Sequence, residues 1–411
     1  MKKLKLGIGL VIVIVLGCWV ASRWHTWFVE EDEVAYVASS SPVHVLLTFG
    51  DAHKLSRNVS WQADCIIRPS WLELVCLSDS DTIRVEAQGE VFRSRGGQAA
   101  YYVARLRELQ AGTSYAYRAV TGAKASPWYQ FRTQPDSADK VSFLYVGDVQ
   151  DSIGGEANRF LREALSRHPE SEFLVCGGDL ADGPRQSCWD EAFRDIDSVT
   201  QAMPLLVVAG NHDYRKGVIQ WLERRFPLTF SYFLDSKMGD NQVYTLNYGP
   251  VQFFLLDSNR ELPYLLTQRD WLKAQLEQSR ARWKIVVLHH PLFSIRSRCR
   301  NLIQRWVFND LLETYDVDLV LQAHEHAYAR MTAHKDGHAV TPVYTISHCS
   351  PKNYDIYEND RYDKSIASSR FYQTVRISGD TLTLAAYEVY HHSLCDSLQI
   401  IKEKDITKII E

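Results

Sequence analysis

The stretch VSFLYVGDVQ, residues 141–150, carries a mostly apolar run, Val141 to Val146, straight into the polar cluster Gly147-Asp148-Val149-Gln150. A short run rich in Val, Leu and Phe reads as a buried strand. The glycine behind it lets the backbone turn sharply and approach an ion. The pattern then repeats. Glu172 to Cys176 leads into Gly178-Asp179, Pro204 to Val208 into Gly210-Asn211-His212-Asp213, Lys284 to Leu288 into His289-His290-Pro291, and Asp318 to Leu321 into His324-Glu325-His326. Helical patterns lie between several of these runs, at Glu156 to Arg167, Trp189 to Val199, Arg269 to Arg282 and Leu302 to Tyr315. Strands alternating with helices imply βαβ units, and in such sheets the ligand site lies beyond the carboxyl ends of the strands. The clusters are therefore expected to converge on one rim, although tens of residues separate them.

The residue types name a chemistry. Carboxylate and amide oxygens suit hard divalent ions, imidazole suits first-row metals, and the clusters supply both. Two such ions about 3.5 to 4 Å apart clamp an ester phosphate and turn a bound water into hydroxide near neutral pH. With Asp148 and Asp179 as the only formal negatives among the candidate ligands, two divalent ions would leave a net positive pocket that draws in a phosphate. A lone Gly-Asp after a strand is common in turns, and a lone buried histidine is more often structural than a ligand. The joint occurrence carries the reading. Side chains alternate along a strand, so His289 and His290 point opposite ways and at most one of them is a ligand.

The order GD, GD, GNHD, HxP, HxH resembles the calcineurin-like metallophosphoesterases, and the flanking sequence most resembles their purple acid phosphatase branch. That resemblance implies an α/β (α+β) fold, a four-layer β-sandwich flanked by helices. It also implies a pair of divalent ions (Fe, Zn, Mn or Mg) and a phosphorylated substrate. Asp148, Gln150, Asp179 and His326 would hold the first ion, with Asp179 also reaching the second, which Asn211, His289 and His324 complete. His212 would be no ligand; it would stabilise charge on the phosphate and protonate the leaving alkoxide, with Asp213 orienting it. The chain departs from the family pattern in two places. Gln150 stands where many members have His, and Asp182 stands where purple acid phosphatases supply a Tyr three residues after the second aspartate. Without that tyrosinate a colourless enzyme using divalent ions is expected. Asp182 is then an alternative metal ligand or a hydrogen-bonding neighbour. Arg296, Arg298 and Arg300, just past His290, and His290 itself are candidate contacts for substrate oxygens, the rival being a solvated basic loop. His348, in a loop after another strand, is a candidate for lining the pocket.

Upstream the texture changes. Short alternating strands such as Val43 to Phe49, Ser60 to Ala63, Trp71 to Cys76 and Tyr101 to Leu106 read as a small all-β sandwich over residues 40–135. Leu106 to Ala119 followed by Trp128 to Thr133 resembles the close of a fibronectin type III domain, which purple acid phosphatases place ahead of the catalytic one. The catalytic domain is expected over residues 140–395, its last piece a hairpin around Ser378-Gly379-Asp380 closing the edge of the sheet, with residues 396–411 a charged tail.

Lys2, Lys3 and Lys5 precede an apolar run from Leu6 to Ala21, so residues 1–28 read as a signal peptide or N-terminal membrane anchor. Cys18 resembles a lipoprotein acylation site, and each alternative puts the catalytic domain outside the cytoplasm, periplasmic, secreted or tethered to a membrane. A net charge of −4 and a pI near 6.4 give no basic field for nucleic acid. The eight cysteines lack zinc-finger spacing. The reading favours a phosphomonoesterase. A phosphodiesterase or pyrophosphate hydrolase on the same metal core is the alternative, and an inactive, metal-poor surface receptor or scaffold is the non-enzyme alternative.

Overall fold

The computed structural model describes residues 28–411 except 51–54, 79–80, 136–138, 153, 218–219, 233–237, 239–241, 358–359 and 404–405, with a scatter of residues before 28. The expected leader falls mostly outside the described residues. No helix among the described residues is long and apolar enough to cross a membrane.

Two sheets face each other across one core. In the first, Lys140–Val146, Phe173–Cys176 and Leu205–Val207 pair in parallel, and Phe371–Ser378, Thr381–Glu388, Leu394–Glu403 and Ile406–Ile410 extend it antiparallel on the other side of Lys140–Val146. In the second, Val251–Leu255, Trp283–Val287, Leu319–Gln322 and His338–Ile346 are parallel. Tyr244–Tyr248 flanks them on one side, Tyr328–Lys335 and Lys364–Ile366 on the other. Val141, Phe143, Phe173 and Leu205 of the first sheet share a core with Phe253, Leu255, Ile285, Leu319 and Val343 of the second. Helices Ala157–Arg167 and Gln186–Asp195 cover the outer face of the first sheet through Phe160, Leu161 and Trp189. Helices Leu262–Gln278 and Leu302–Thr314 cover the second through Leu265, Leu272, Phe308 and Leu312. The stack is helix, sheet, sheet, helix. Strands covered on both faces must be apolar throughout, and Phe173–Cys176 and Val251–Leu255 are buried at every position.

Residues 43–132 form the all-β unit. The long strand Thr82–Arg93 pairs with Ser70–Cys76 over its first half and with Gln98–Leu106 over its second, joining two sheets around Trp61, Leu72, Tyr102 and Tyr117. Ser70–Cys76 alternates buried and half-buried side chains, the pattern of a strand with one face on the core. The unit is not a separate bead. Val43–Phe49 pairs in parallel with Leu205–Val207 at Thr48 and Leu205, so its sheet continues the first catalytic sheet without a break.

Two expectations need correction. The hairpin around Gly379 is not at the edge: Phe371–Ser378 lies directly against Lys140–Val146. The supposed tail supplies the two outermost strands, Leu394–Glu403 and Ile406–Ile410. Leu398 and Ile400 reach the core while charged neighbours face water, as edge strands require.

Candidate metal centre and its cleft

All five polar clusters follow the carboxyl ends of parallel strands, three from the first sheet and two from the second, and meet where the sheets come together. Asp148, Asp179 and His289 offer ligand atoms within 4.8 Å of one another, and all three are buried. Around them, His326 Nε2 lies 3.3 Å from Asp148 Oδ1, and Gln150 Nε2 donates to Asp179 Oδ2 at 3.0 Å. His289 Nε2 lies 3.3 Å from Asp179 Oδ2 and 3.1 Å from Asn211 Oδ1, and His324 Nδ1 lies 2.7 Å from Asn211 Oδ1. Asp179 thus stands between one group made of Asp148, Gln150 and His326 and another made of Asn211, His289 and His324.

The backbone is bent to achieve this. Asp148, Gln150, Asp179 and His324 all adopt left-handed φ, between 32° and 67°, which costs on the order of 1 kcal/mol or more each and persists at sites where geometry matters. The glycines serve two needs, the sharp turn expected and close approach. Gly178 has φ +98°, but at Gly210 the requirement is room: a Cβ there would sit 2.0 Å from Asp179 Oδ1.

Imidazoles are fixed from behind. His289 Nδ1 meets Gly177 O at 2.9 Å and His326 Nδ1 meets Lys352 O at 2.9 Å, leaving each Nε2 for the centre. Burial pushes the Asp179 carboxyl up, but His289 and His212 outweigh it and hold it below the usual carboxylate range. Burial likewise pushes His289 down, and Asp179 reverses this and raises it to about 9. The buried acids call for positive charge at this point. Within the two donor groups, two buried acceptors make no hydrogen bond among the described residues: Asp148 Oδ1, which has His326 Nε2 at 3.3 Å, and Gln150 Oε1. A buried orphan oxygen is costly unless a cation meets it, so this donor set fits divalent metal, with Gln150 offering its carbonyl.

His212 stands apart from the ligand groups. Its side chain is 35% exposed, with Nε2 4.0 Å from Asp179 Oδ2 and Nδ1 3.5 Å from Asp182 Oδ1. Asp182 also accepts from Lys352 Nζ at 2.8 Å. Asp182 is thus placed between the Lys352 ammonium and the His212 ring. Asp213 does not orient His212: the tight turn Asn211–Asp213 sends it inward to accept from Gly210 N at 2.8 Å. There burial and Asp179 push its carboxyl up to about 8.

The other candidates divide. His290 meets Ser258 Oγ at 3.0 Å, its ring 4.3 Å from that of His324; burial and His289 push it down to about 3, so it packs beside His324 as a neutral ring. Arg296 lies over the Tyr354 ring at 3.9 Å, and Tyr354 stacks on His326 at 4.3 Å. Arg298 points elsewhere, 60% exposed and 3.9 Å from Asp360, because its loop has already left the rim. His348 is buried and stacks on His326 at 5.2 Å, behind the ligand and not lining the cleft. Lys352 and Tyr354 were not singled out by any motif. The available signal was their place after the parallel strand His338–Ile346, a sixth loop on the same rim.

A cavity of about 420 Å³ opens beside His212 and Asn211, lined by Tyr214, Asp182, Lys352, Arg185 and Lys216. Comparison with known proteins agrees with this architecture. Residues 141–328 match the calcineurin-like phosphoesterase family and residues 42–133 match the purple acid phosphatase N-terminal domain. The chain is 25% identical over 242 residues to Purple acid phosphatase 22 of Arabidopsis thaliana, spanning 55% of this chain but only 52% of that relative. It is 24% identical over 369 residues to Phosphoenolpyruvate phosphatase of Allium cepa, spanning 84% and 71%. The solved structure of PhoD shares the fold with a TM-score of 0.66 at 13% identity, over 92% of this chain and 94% of that one.

Proposed function

From a chain that carries a purple acid phosphatase N-terminal domain joined to a calcineurin-like phosphoesterase domain, we propose a phosphomonoesterase that works with two divalent ions. The observation that carries the reading is Asp179 set between two groups of donors, in bonding distance of Gln150 in one and His289 in the other. Asp148, Gln150, Asp179 and His326 would hold the first ion; Asn211, His289 and His324, with Asp179, would hold the second. When bound, the ions supply Lewis acidity toward the phosphoryl oxygens and toward the attacking water.

The rest falls to side chains of this chain. His212, reachable from the cleft and braced by Asp182 at Nδ1, offers Nε2 to the leaving oxygen and gives it a proton. Lys352, on the other side of Asp182, supplies an ammonium at the cleft wall for a phosphate oxygen. Arg296, braced on Tyr354, is a second cation near the first donor group. Among the described residues lining the cleft there is no Ser, Thr or Cys, which supports direct attack by water. The lysines ahead of the apolar run from Leu6 to Ala21 support a catalytic domain delivered outside the cytoplasm and held by, or released from, its leader.

A substrate panel tests this. Purified full-length protein supplied with Mn, Zn, Fe or Mg should cleave p-nitrophenyl phosphate faster than bis-p-nitrophenyl phosphate and lose activity on chelation. Faster cleavage of the diester would move the assignment to a phosphodiesterase, and activity that survives exhaustive chelation would remove the metal from it.

A further inference from the structure

The loop and helix that follow the metal-centre histidines form a surface that catalysis leaves unexplained. From Arg296 to Trp306 the sequence reads RSRCRNLIQRW, with four arginines and no acid before Asp310. Helix Leu302–Thr314 buries Val307, Phe308, Leu311 and Leu312 on the second sheet. Its first turn leaves Leu302 50%, Ile303 51% and Trp306 66% exposed. Leu262 and Leu266 on the neighbouring helix are exposed by more than a third as well. Arg269 of one helix pairs with Asp310 of the other, and Gln304 donates to Ser258 O at 3.0 Å in the loop ahead of Leu262. Single exposed apolar residues are ordinary, but a contiguous group containing Trp marks a contact surface.

We propose that this face docks on an anionic lipid surface, with Leu302, Ile303 and Trp306 entering the headgroup and acyl boundary and the exposed Arg298 and Arg300 meeting lipid phosphates. The charge selects this occupant. Aromatic and aliphatic side chains ringed by arginines form the pattern of an interfacial segment, and each basic group near an anionic leaflet favours binding. The apolar run from Leu6 to Ala21 with its lysines is a second membrane signal in the same chain, and interfacial attachment is stable when two signals act together. Asn301 Nδ2 donates to Pro291 O at 2.9 Å, which ties the docking loop to the segment bearing His289.

Hydrogen exchange on the full chain tests this without reference to activity, using no vesicles, phosphatidylcholine vesicles, and phosphatidylcholine vesicles containing phosphatidylserine. Amides of residues 298–308 should exchange at least about tenfold more slowly on the anionic vesicles than on the neutral ones. The variant L302S/I303S/W306S should lose that protection while keeping its melting temperature and its protection elsewhere. Equal exchange on anionic and neutral vesicles would overturn the proposal. So would protection that survives in the triple variant, or protection that appears without vesicles on raising the protein concentration, which would mean a second copy covers the face.

Discussion

His212 is the one imidazole of the rim that holds no place in either donor group and yet can be reached from the cleft. If its proton goes to the leaving oxygen, His212→Ala slows turnover of p-nitrophenyl phosphate by about 10² to 10⁴ while metal content is unchanged. Equal turnover in the variant would remove it from the chemistry. At this scale the sequence was informative about donors and silent about their neighbours. Asp148, Asp179, Asn211, His289, His324 and His326 each sit two to four residues past the end of a strand, so their convergence followed from topology. Asp213 looked like the partner of His212 because it is adjacent in sequence. The tight turn Asn211–Asp213 buries it instead, and Asp182, from a different loop, takes the position.

Among the elements, the helix Gln186–Asp195 ends in a buried acid whose Oδ2 has no partner among the described residues. Burial, reinforced by Asp151 and Glu191, pushes the Asp195 carboxyl up from 3.8 to about 8. The folded chain keeps a proton there that the unfolded chain releases, so stability is lost as pH rises through that window. Asp195→Asn removes the effect: its melting temperature should exceed the parent's by a margin that widens between 3.8 and about 8, and a pH-independent margin would count against the buried proton. Elements in the catalytic core were legible because apolar runs and helical spacing agree with burial on both faces. Helix Leu262–Gln278 begins seven residues before its expected start at Arg269, with Pro263 in its first turn, since Leu265 is needed to cover the second sheet. The two C-terminal strands escaped detection because Lys402, Glu403 and Lys408 stand among their apolar residues, and charged composition reads as a tail.

Across the whole molecule the all-β unit and the catalytic sheets act as one body. Besides the Thr48 and Leu205 register, Tyr117 donates to Gln201 O at 2.7 Å and Ser60 to Thr229 O at 2.7 Å. Arg225 is the main ionic link, fully buried, pairing with Glu33 from the segment ahead of the sandwich and with Glu223 at 3.0 Å. Removing one partner of such a network leaves the others as uncompensated buried charges, so Arg225→Met should cost about 3 to 5 kcal/mol in urea unfolding. A loss below about 1 kcal/mol would mean that water already screens the group. This continuity was invisible in the sequence, where the change from alternating strands to strand-helix units marks one small and one large domain; a three-residue strand such as Leu205–Val207 carries no sign of what pairs with its outer edge.

The central claim is that Asp179 joins two groups of donors into one centre for a pair of cations, and metal content measured by mass spectrometry on purified protein tests it most directly. About two divalent ions per chain are expected in the parent, falling below one in Asp179→Asn at unchanged fold. Trace metal only in the parent, or full loading that survives loss of Asp179, would contradict the account.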